Sequence, residues 1–252
     1  MADAEENILE EENPKVEVEM TFLDHLEELR WRIIYSVIGI FIGTIIAWIF
    51  IDFLINNILL IPAKAVNFKL QNLRPFGQLF LYFQVAIMIG LIISFPNVVY
   101  QLWKFIAPAL KSKEKKYVKW IVLFTTFCFI CGVAFAYFVM LPLTLKFAAG
   151  FGSEAIVNNF SIEEYFSIVL SIILGAGLVF ELPMLSFFLS KIGILSPNLM
   201  RKYRRHSIVA IMILAAFLSP GTDPVSQVLL AVPLVLLYEI SIFVSKIFQK
   251  KP

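Results

Sequence analysis

LFLYFQVAIMIGLIISFPNVVY, residues 79–100, runs for twenty-two residues without a charged side chain. About 20 apolar residues are what a helix needs to cross the hydrocarbon core of a bilayer. The stretch behind it, QLWKFIAPALKSKEKKYVK (101–119), carries six lysines and one acid, Glu114, and a second apolar run, 120–141, follows and is closed by Pro142. Apolar, basic, apolar is the pattern of a chain that crosses a membrane, turns at a headgroup-facing surface and crosses back. The fold class read from it is all-α and polytopic.

Outward from this pair the pattern repeats. Upstream, 33–51 is a first span, followed by a polar loop through Pro75. Downstream, Ser161-x-x-Glu164 reads as a capping box opening a fourth span over 165–190. Ser196 and Pro197 read as N-cap and first residue of a helix that carries Arg201, Lys202, Arg204 and Arg205 before its apolar part, 206–219. A sixth span covers 225–245 and is interrupted by Pro233. Six transmembrane helices are therefore expected.

With a cytoplasmic N-terminus, Lys and Arg divide 17 against 4 between the two sides, so the positive-inside rule places both termini in the cytoplasm. The fifth span is only 14 residues, about 21 Å of helix against a core of about 30 Å. The sixth meets Glu239 after a similar distance. Two short neighbouring helices imply a notch, a concave face where protein does not fill the membrane. GLIISFP (90–96) and GLVFELP (177–183) echo each other in spacing and direction, which chance accounts for in so limited an alphabet.

Composition excludes a water-soluble globule: 60% of the 252 residues are apolar and 16% charged, where soluble domains carry roughly 25% charge. Eight acids (Asp3, Glu5, Glu6, Glu10, Glu11, Glu12, Glu17, Glu19) and Lys15 fill the first twenty residues. That stretch, 1–20, is expected to be a disordered tail and not a signal peptide, whose first region is basic. A single helical domain, 21–245, and a short basic tail, 246–252, follow. Cys128 and Cys131 lie inside an apolar run and read as small packing residues, since no second pair or His cluster accompanies them. Neither a phosphate-binding G-x-x-x-x-G-K-[ST] nor an H-E-x-x-H occurs, and only His25 and His206 are present. No enzymatic chemistry, metal or cofactor is expected, and nothing points to nucleic acid.

Three carboxylates remain. TFLDHLEELRWR (21–32) reads as an amphipathic helix along the cytoplasmic surface that turns into the first span, with Thr21 and Asp24 as its capping box. In it Glu28 is either an i,i+4 partner of Arg32 or a recognition carboxylate. Glu114 is either a first-turn acid suited to the helix dipole behind Ser112, or a lone carboxylate among bases that accepts a guanidinium through both oxygens. Glu181 stands two residues before Pro183 in LGAGLVFELPML (174–185). An ionised acid near mid-span costs about 2.5–3.5 kcal/mol on insertion scales, so it is protonated, paired or facing a polar cavity. Pro183 frees the carbonyl of Val179 and is expected to kink the helix there. With no base at comparable depth, the partner of Glu181 is water, a polar side chain or a ligand.

At these residues the chain resembles a known family. HLEELRWRI before the first span, YQLWKFIAPALKSKE after the second, FAYFVMLPL closing the third, FELPM in the fourth and DPVSQVLLAVPLVLLYE across the sixth are similar to the TatC family, over roughly 21–245. These are the multi-span receptor subunits of the twin-arginine protein translocase. The resemblance implies a prokaryotic inner-membrane protein that binds twin-arginine signal peptides at its cytoplasmic face. It also implies assembly with single-span TatA- and TatB-type partners, in an oligomeric complex amid membrane lipids, to move folded proteins, with the proton gradient as driving force. Position by position it implies Glu28, Arg30, Phe105 and Glu114 as signal-peptide contacts and Glu181 as the intramembrane acid. Asp223, Gln227, Pro62 and Pro75 are implied as assembly contacts, Asp223 in an outer turn, SPGTDP, one residue longer than the family pattern. The residues alone also allow a proton-coupled secondary transporter built on Glu181, or a lipid scaffold or flippase. A transporter usually shows inverted repeats, whereas the echo seen here is parallel.

Overall fold

The computed structural model describes residues 22–66, 69–106, 118–150, 159–191, 193–218 and 224–248. Along the chain, α1 (Phe22–Ile49), α2 (Ile51–Leu54), a π turn (Ile55–Leu59), α3 (Ile61–Ala65) and β1 (Lys69–Gln71) lead to α4 (Gly77–Ile106). Next come α5 (Val118–Phe135), a second π turn (Ala136–Met140), α6 (Leu141–Gly150), β2 (Asn159–Ser161), α7 (Ile162–Val179) and α8 (Leu182–Lys191). The last elements are α9 (Pro197–Lys202), α10 (Arg204–Leu218) and α11 (Pro224–Phe248). Four segments among the described residues are long and apolar enough to cross a membrane: Leu23–Ile49, Gly77–Ile106, Lys119–Gly150 and Ile162–Ser190.

Enclosure differs between them. In its most apolar window Ile162–Ser190 is 56% buried and Leu23–Ile49 only 11%, which makes the α7–α8 segment the hub and α1 a peripheral helix. The outward residues of α1, among them Phe41, Ile42, Ile45 and Ile49, are exposed. Such a face belongs in lipid, where hydrocarbon replaces the buried side of a soluble helix.

The helix α1 packs antiparallel against α4 along its length. His25 stacks on Phe105, Arg32 meets Gln101, the Tyr35 carbonyl meets Asn97, and Trp48 stacks on Phe83. At the crossing, a Cβ on Gly43 would lie 2.6 Å from the Gly90 carbonyl oxygen, and one on Gly90 2.5 Å from the Thr44 amide nitrogen. Small residues of this kind let two backbones touch inside a bilayer. A second polar seam joins α8 to α11: Ser190 and Ser245 are buried and their hydroxyls share a hydrogen bond of 2.6 Å.

Several boundaries differ from the sequence reading. The surface helix and the first span are one continuous helix, with no turn between them; nothing from 22 to 38 is Gly or Pro, and the Glu28–Arg32 pair braces the last helical turn before the expected junction. Pro142 does not end the third span. The π turn immediately before it widens the helical repeat where the missing amide falls, and the helix resumes as α6. Pro233 likewise lies inside an unbroken α11, which at 25 residues is not short and runs past 245 to Phe248. The 15-residue α10 is short. What is short in α11 is its apolar part, because Glu239 receives Arg204 from the start of α10, with Nε to Oε1 at 2.6 Å and a second contact from Nη2 to Oε2. That carboxylate holds the Arg204 guanidinium further toward its charged form. Ser196 caps α9 as expected, accepting from the Leu199 amide at 3.2 Å. Ser161 occupies the N-cap position of α7, but its hydroxyl bonds the Glu163 carboxylate and not a helix amide.

At the far end of the α1–α4 pair, the connection 50–66 folds back onto the bundle. Ile55, Leu59 and Ala63 enter the core, and two buried or half-buried tyrosines fasten the backbone there. Tyr137 donates to the Ile58 carbonyl at 2.7 Å and Tyr165 to the Leu59 carbonyl at 2.5 Å. The strands β1 and β2 pair in parallel, Lys69 opposite Asn159 and Gln71 opposite Ser161, and tie this connection to the one ahead of α7. Tyr165→Phe strands a buried carbonyl, a loss of about 1–3 kcal/mol. The expected outcome is a lower unfolding midpoint and faster proteolysis within 50–65, with the opposite end of the α1–α4 pair unaffected.

Candidate functional site

The end of the α1–α4 pair that carries Glu28 forms an open cleft of about 530 Å³, lined by Glu28, Trp31, Arg32, Tyr35, Gln101 and Lys104. Helical spacing explains the set: Glu28, Arg32 and Tyr35 follow at i, i+4 and i+7 on one face of α1, and Gln101 and Lys104 at i, i+3 on α4. Glu28 and Arg32 form an ion pair at 2.8 Å, each about one-fifth exposed (20% and 19%). Arg32 also donates to Gln101 at 3.2 Å, Gln101 to Asn97 at 3.4 Å, and Asn97 to the Tyr35 carbonyl at 3.2 Å. Lys104 sits 5.6 Å over the Tyr100 ring. The cleft is thus a polar seam between two helices, holding one carboxylate and two cations among its described residues.

The predicted site residues divide. Glu28 lines the cleft, and the i,i+4 pairing with Arg32 is the arrangement found. Phe105 stacks on His25 at 4.3 Å, one turn of α1 before Glu28, which brings the end of α4 beside the cleft. Arg30 is exposed on α1 and outside the lining. Glu114 and Asp223 lie outside the described residues, so the expected pairing of Glu28 with Glu114 has no geometry here. Pro62 is buried at the start of α3 and Pro75 is exposed ahead of α4, both at the opposite end from Glu28.

Glu181 sits in the break between α7 and α8, as Pro183 implied. Its amide bonds back three residues to the Leu178 carbonyl at 3.1 Å, and its own carbonyl accepts from Leu185 at 2.9 Å. The residue is 9% exposed, and Oε1 is buried without a hydrogen-bond partner among the described residues. Both cysteines of α5, Cys128 and Cys131, are free and half-buried. Gln227, on α11, donates to the Met212 carbonyl at 2.9 Å and edges an apolar groove lined by Ile208, Val209, Met212, Ile213 and Ala216 of α10.

Gln101, Asn97, Trp31 and Tyr35 were not singled out in the sequence. The available signal was the pair of amides four residues apart at the end of an apolar span, Asn97 and Gln101.

The described residues thus make a helical membrane protein with an ionic cleft at one end of its first two long helices and a buried acid in a broken span. Comparison with known proteins bears on this directly. Residues 24–233 match the family model described as "Sec-independent protein translocase protein (TatC)". The chain is 38% identical over 232 residues to the Sec-independent protein translocase protein TatC of Carboxydothermus hydrogenoformans, covering 92% of this chain and 95% of that one. It is 37% identical over 235 residues to TatC of Aquifex aeolicus, covering 92% and 97%. A crystal structure described as the twin-arginine translocase receptor TatC superposes with a TM-score of 0.80 at 37% identity, over 88% of this chain and 98% of that one. The chain belongs to the TatC family of protein-translocase membrane proteins, which are transport components and not enzymes. Membership favours the translocase reading over the transporter and flippase readings that the residues alone left open.

Proposed function

We propose that this protein is the signal receptor of a twin-arginine translocase in a prokaryotic inner membrane. Its topology in this reading is six spans in one domain over 21–245, with both termini in the cytoplasm, a placement that the distribution of Lys and Arg supports. The observation that carries the reading is Glu28 in a cleft between the inner ends of α1 and α4, in a chain of this family. Two signal arginines call for two carboxylates; Glu28 is one and Glu114, on the connection that leaves α4 next to Phe105, is the other. Arg30 and Phe105 flank the same contact. The apolar part of the signal lies along the concave side between the spans. Glu181, inside the bundle, and Gln227, at the α10 groove, serve single-span TatA- and TatB-type partners, with Asp223, Pro62 and Pro75 on the outer rim of that assembly.

Peptide binding tests it. Glu114→Gln is expected to weaken an RR signal peptide roughly tenfold or more, the worth of a charge-assisted hydrogen bond, and a KK or uncharged twin much less. Photo-crosslinks from the RR peptide should fall on Trp31, Tyr35 or Phe105. Equal losses for all three peptides would move the site elsewhere.

A further inference from the structure

The guanidinium on Glu28 is the chain's own. Arg32 Nη2 contacts Glu28 Oε1 at 2.8 Å while Nη1 donates to Gln101 at 3.2 Å, and Gln101 is itself tied through Asn97 to the α1 backbone. Arg32 is therefore tethered from α4 over a carboxylate on α1. The pairing is incomplete: Glu28 Oε2 and Arg32 Nε are buried with no hydrogen-bond partner among the described residues. A carboxylate grips a guanidinium most firmly through two parallel hydrogen bonds; Arg32 engages one oxygen. A ligand guanidinium free to approach Glu28 end-on makes both.

Building on the reading of Glu28 as a signal contact, we propose that Arg32 is a resident competitor for it: an arginine-bearing peptide binds by displacing Arg32 from Glu28, and the Gln101 tether sets how hard that displacement is. Arg32 thereby lowers the affinity of the cleft for guanidinium ligands below what Glu28 alone would give. A receptor that must release its cargo gains from such a built-in rival, since the internal guanidinium reoccupies Glu28 as the peptide leaves.

The experiment is binding of fluorescent RR and KK signal peptides to the full chain in lipid nanodiscs, with unfolding midpoints measured alongside. Arg32→Lys keeps the charge but loses the planar fork and its grip on Gln101. It is expected to tighten RR binding about threefold, within the strength of a partly exposed ion pair. Gln101→Met, which cuts the tether and leaves Arg32 in place, should shift RR binding the same way. In a Glu28→Gln background neither substitution should matter. If Arg32→Gln tightens RR and KK alike while Arg32→Lys and Gln101→Met do nothing, bulk charge is responsible and the competitor is refuted. Weaker binding in folded Arg32→Lys and Gln101→Met also overturns it, making Arg32 an orienting partner of Glu28. Should Glu28→Gln leave RR binding intact, it is the signal-contact reading that fails, whatever Arg32 does.

Discussion

Gly90→Leu is expected to drive α1 away from α4 and to take the cleft with it. At that crossing the atoms facing a new Cβ are the amide nitrogen and Cα of Thr44, at 2.5 and 2.7 Å, and the Thr44 hydroxyl at 2.4 Å. Two of the three are backbone, so no rotamer change relieves the clash and the helices must separate. Overpacking costs about 1–3 kcal/mol where side chains can adjust; here the upper end or more is expected. The cleft lies on the same helix pair, and its seam depends on contacts of 3.2 Å between Arg32 and Gln101 and between Asn97 and the Tyr35 carbonyl. An ångström of separation breaks both and, beyond releasing Arg32, parts the two walls of the cleft, so that Phe105 no longer stands beside the Glu28 turn of α1. Thermal unfolding of the purified chain should show the largest drop of any single change considered, with RR peptide affinity falling in parallel. Gly90→Ala should fall between parent and Gly90→Leu. Parent-like stability for Gly90→Leu would mean that the two backbones do not touch.

Glu181→Leu is expected to do the reverse: to leave the chain as stable or more stable while stopping transport. A buried carboxyl with an unpartnered oxygen is a liability, about 1–3 kcal/mol for such a group, and Leu fills its place with apolar volume. In the assembly proposed above, a polar group from a partner helix would reach it, as an intramembrane acid calls for. Transport of a folded reporter should fall more than tenfold, RR peptide binding should stay near the parent value, and co-purification of single-span partners should change. A lower unfolding midpoint with unchanged transport would instead make Glu181 a structural residue. Abolished peptide binding with normal assembly would merge the two sites that are separated here.

Much of the architecture was legible along the chain because a bilayer imposes one-dimensional rules. Length and apolarity mark the spans, since each backbone amide must be satisfied within its own helix. Thus 79–100 was found inside α4 and 165–190 within the hub, and the break ahead of Pro183 appeared where the missing amide put it. The same local rule misled at Pro142 and Pro233, which interrupt neither helix. A π turn absorbs the first, and neither outcome is encoded in a proline alone.

Charge pairing between distant segments was the harder matter. Glu28 and Arg32 are four apart and could be paired from spacing. Arg204 and Glu239 stand thirty-five apart, and their ion pair exists only because α10 and α11 pack side by side. Gln101 is sixty-nine residues from Arg32 and looked like an ordinary polar residue at a span's end.

Membrane class, helical content, the buried acid at 181 and the family were all present in the order of the residues, because hydrophobic length and local spacing are properties of a chain segment. Which helix meets which, and therefore that the Glu28–Arg32 pair is held from α4 by Gln101, came from the folded molecule. The physical reason is range: a span is selected by its own transfer free energy, whereas a site is made by contacts across helices that no segment specifies alone.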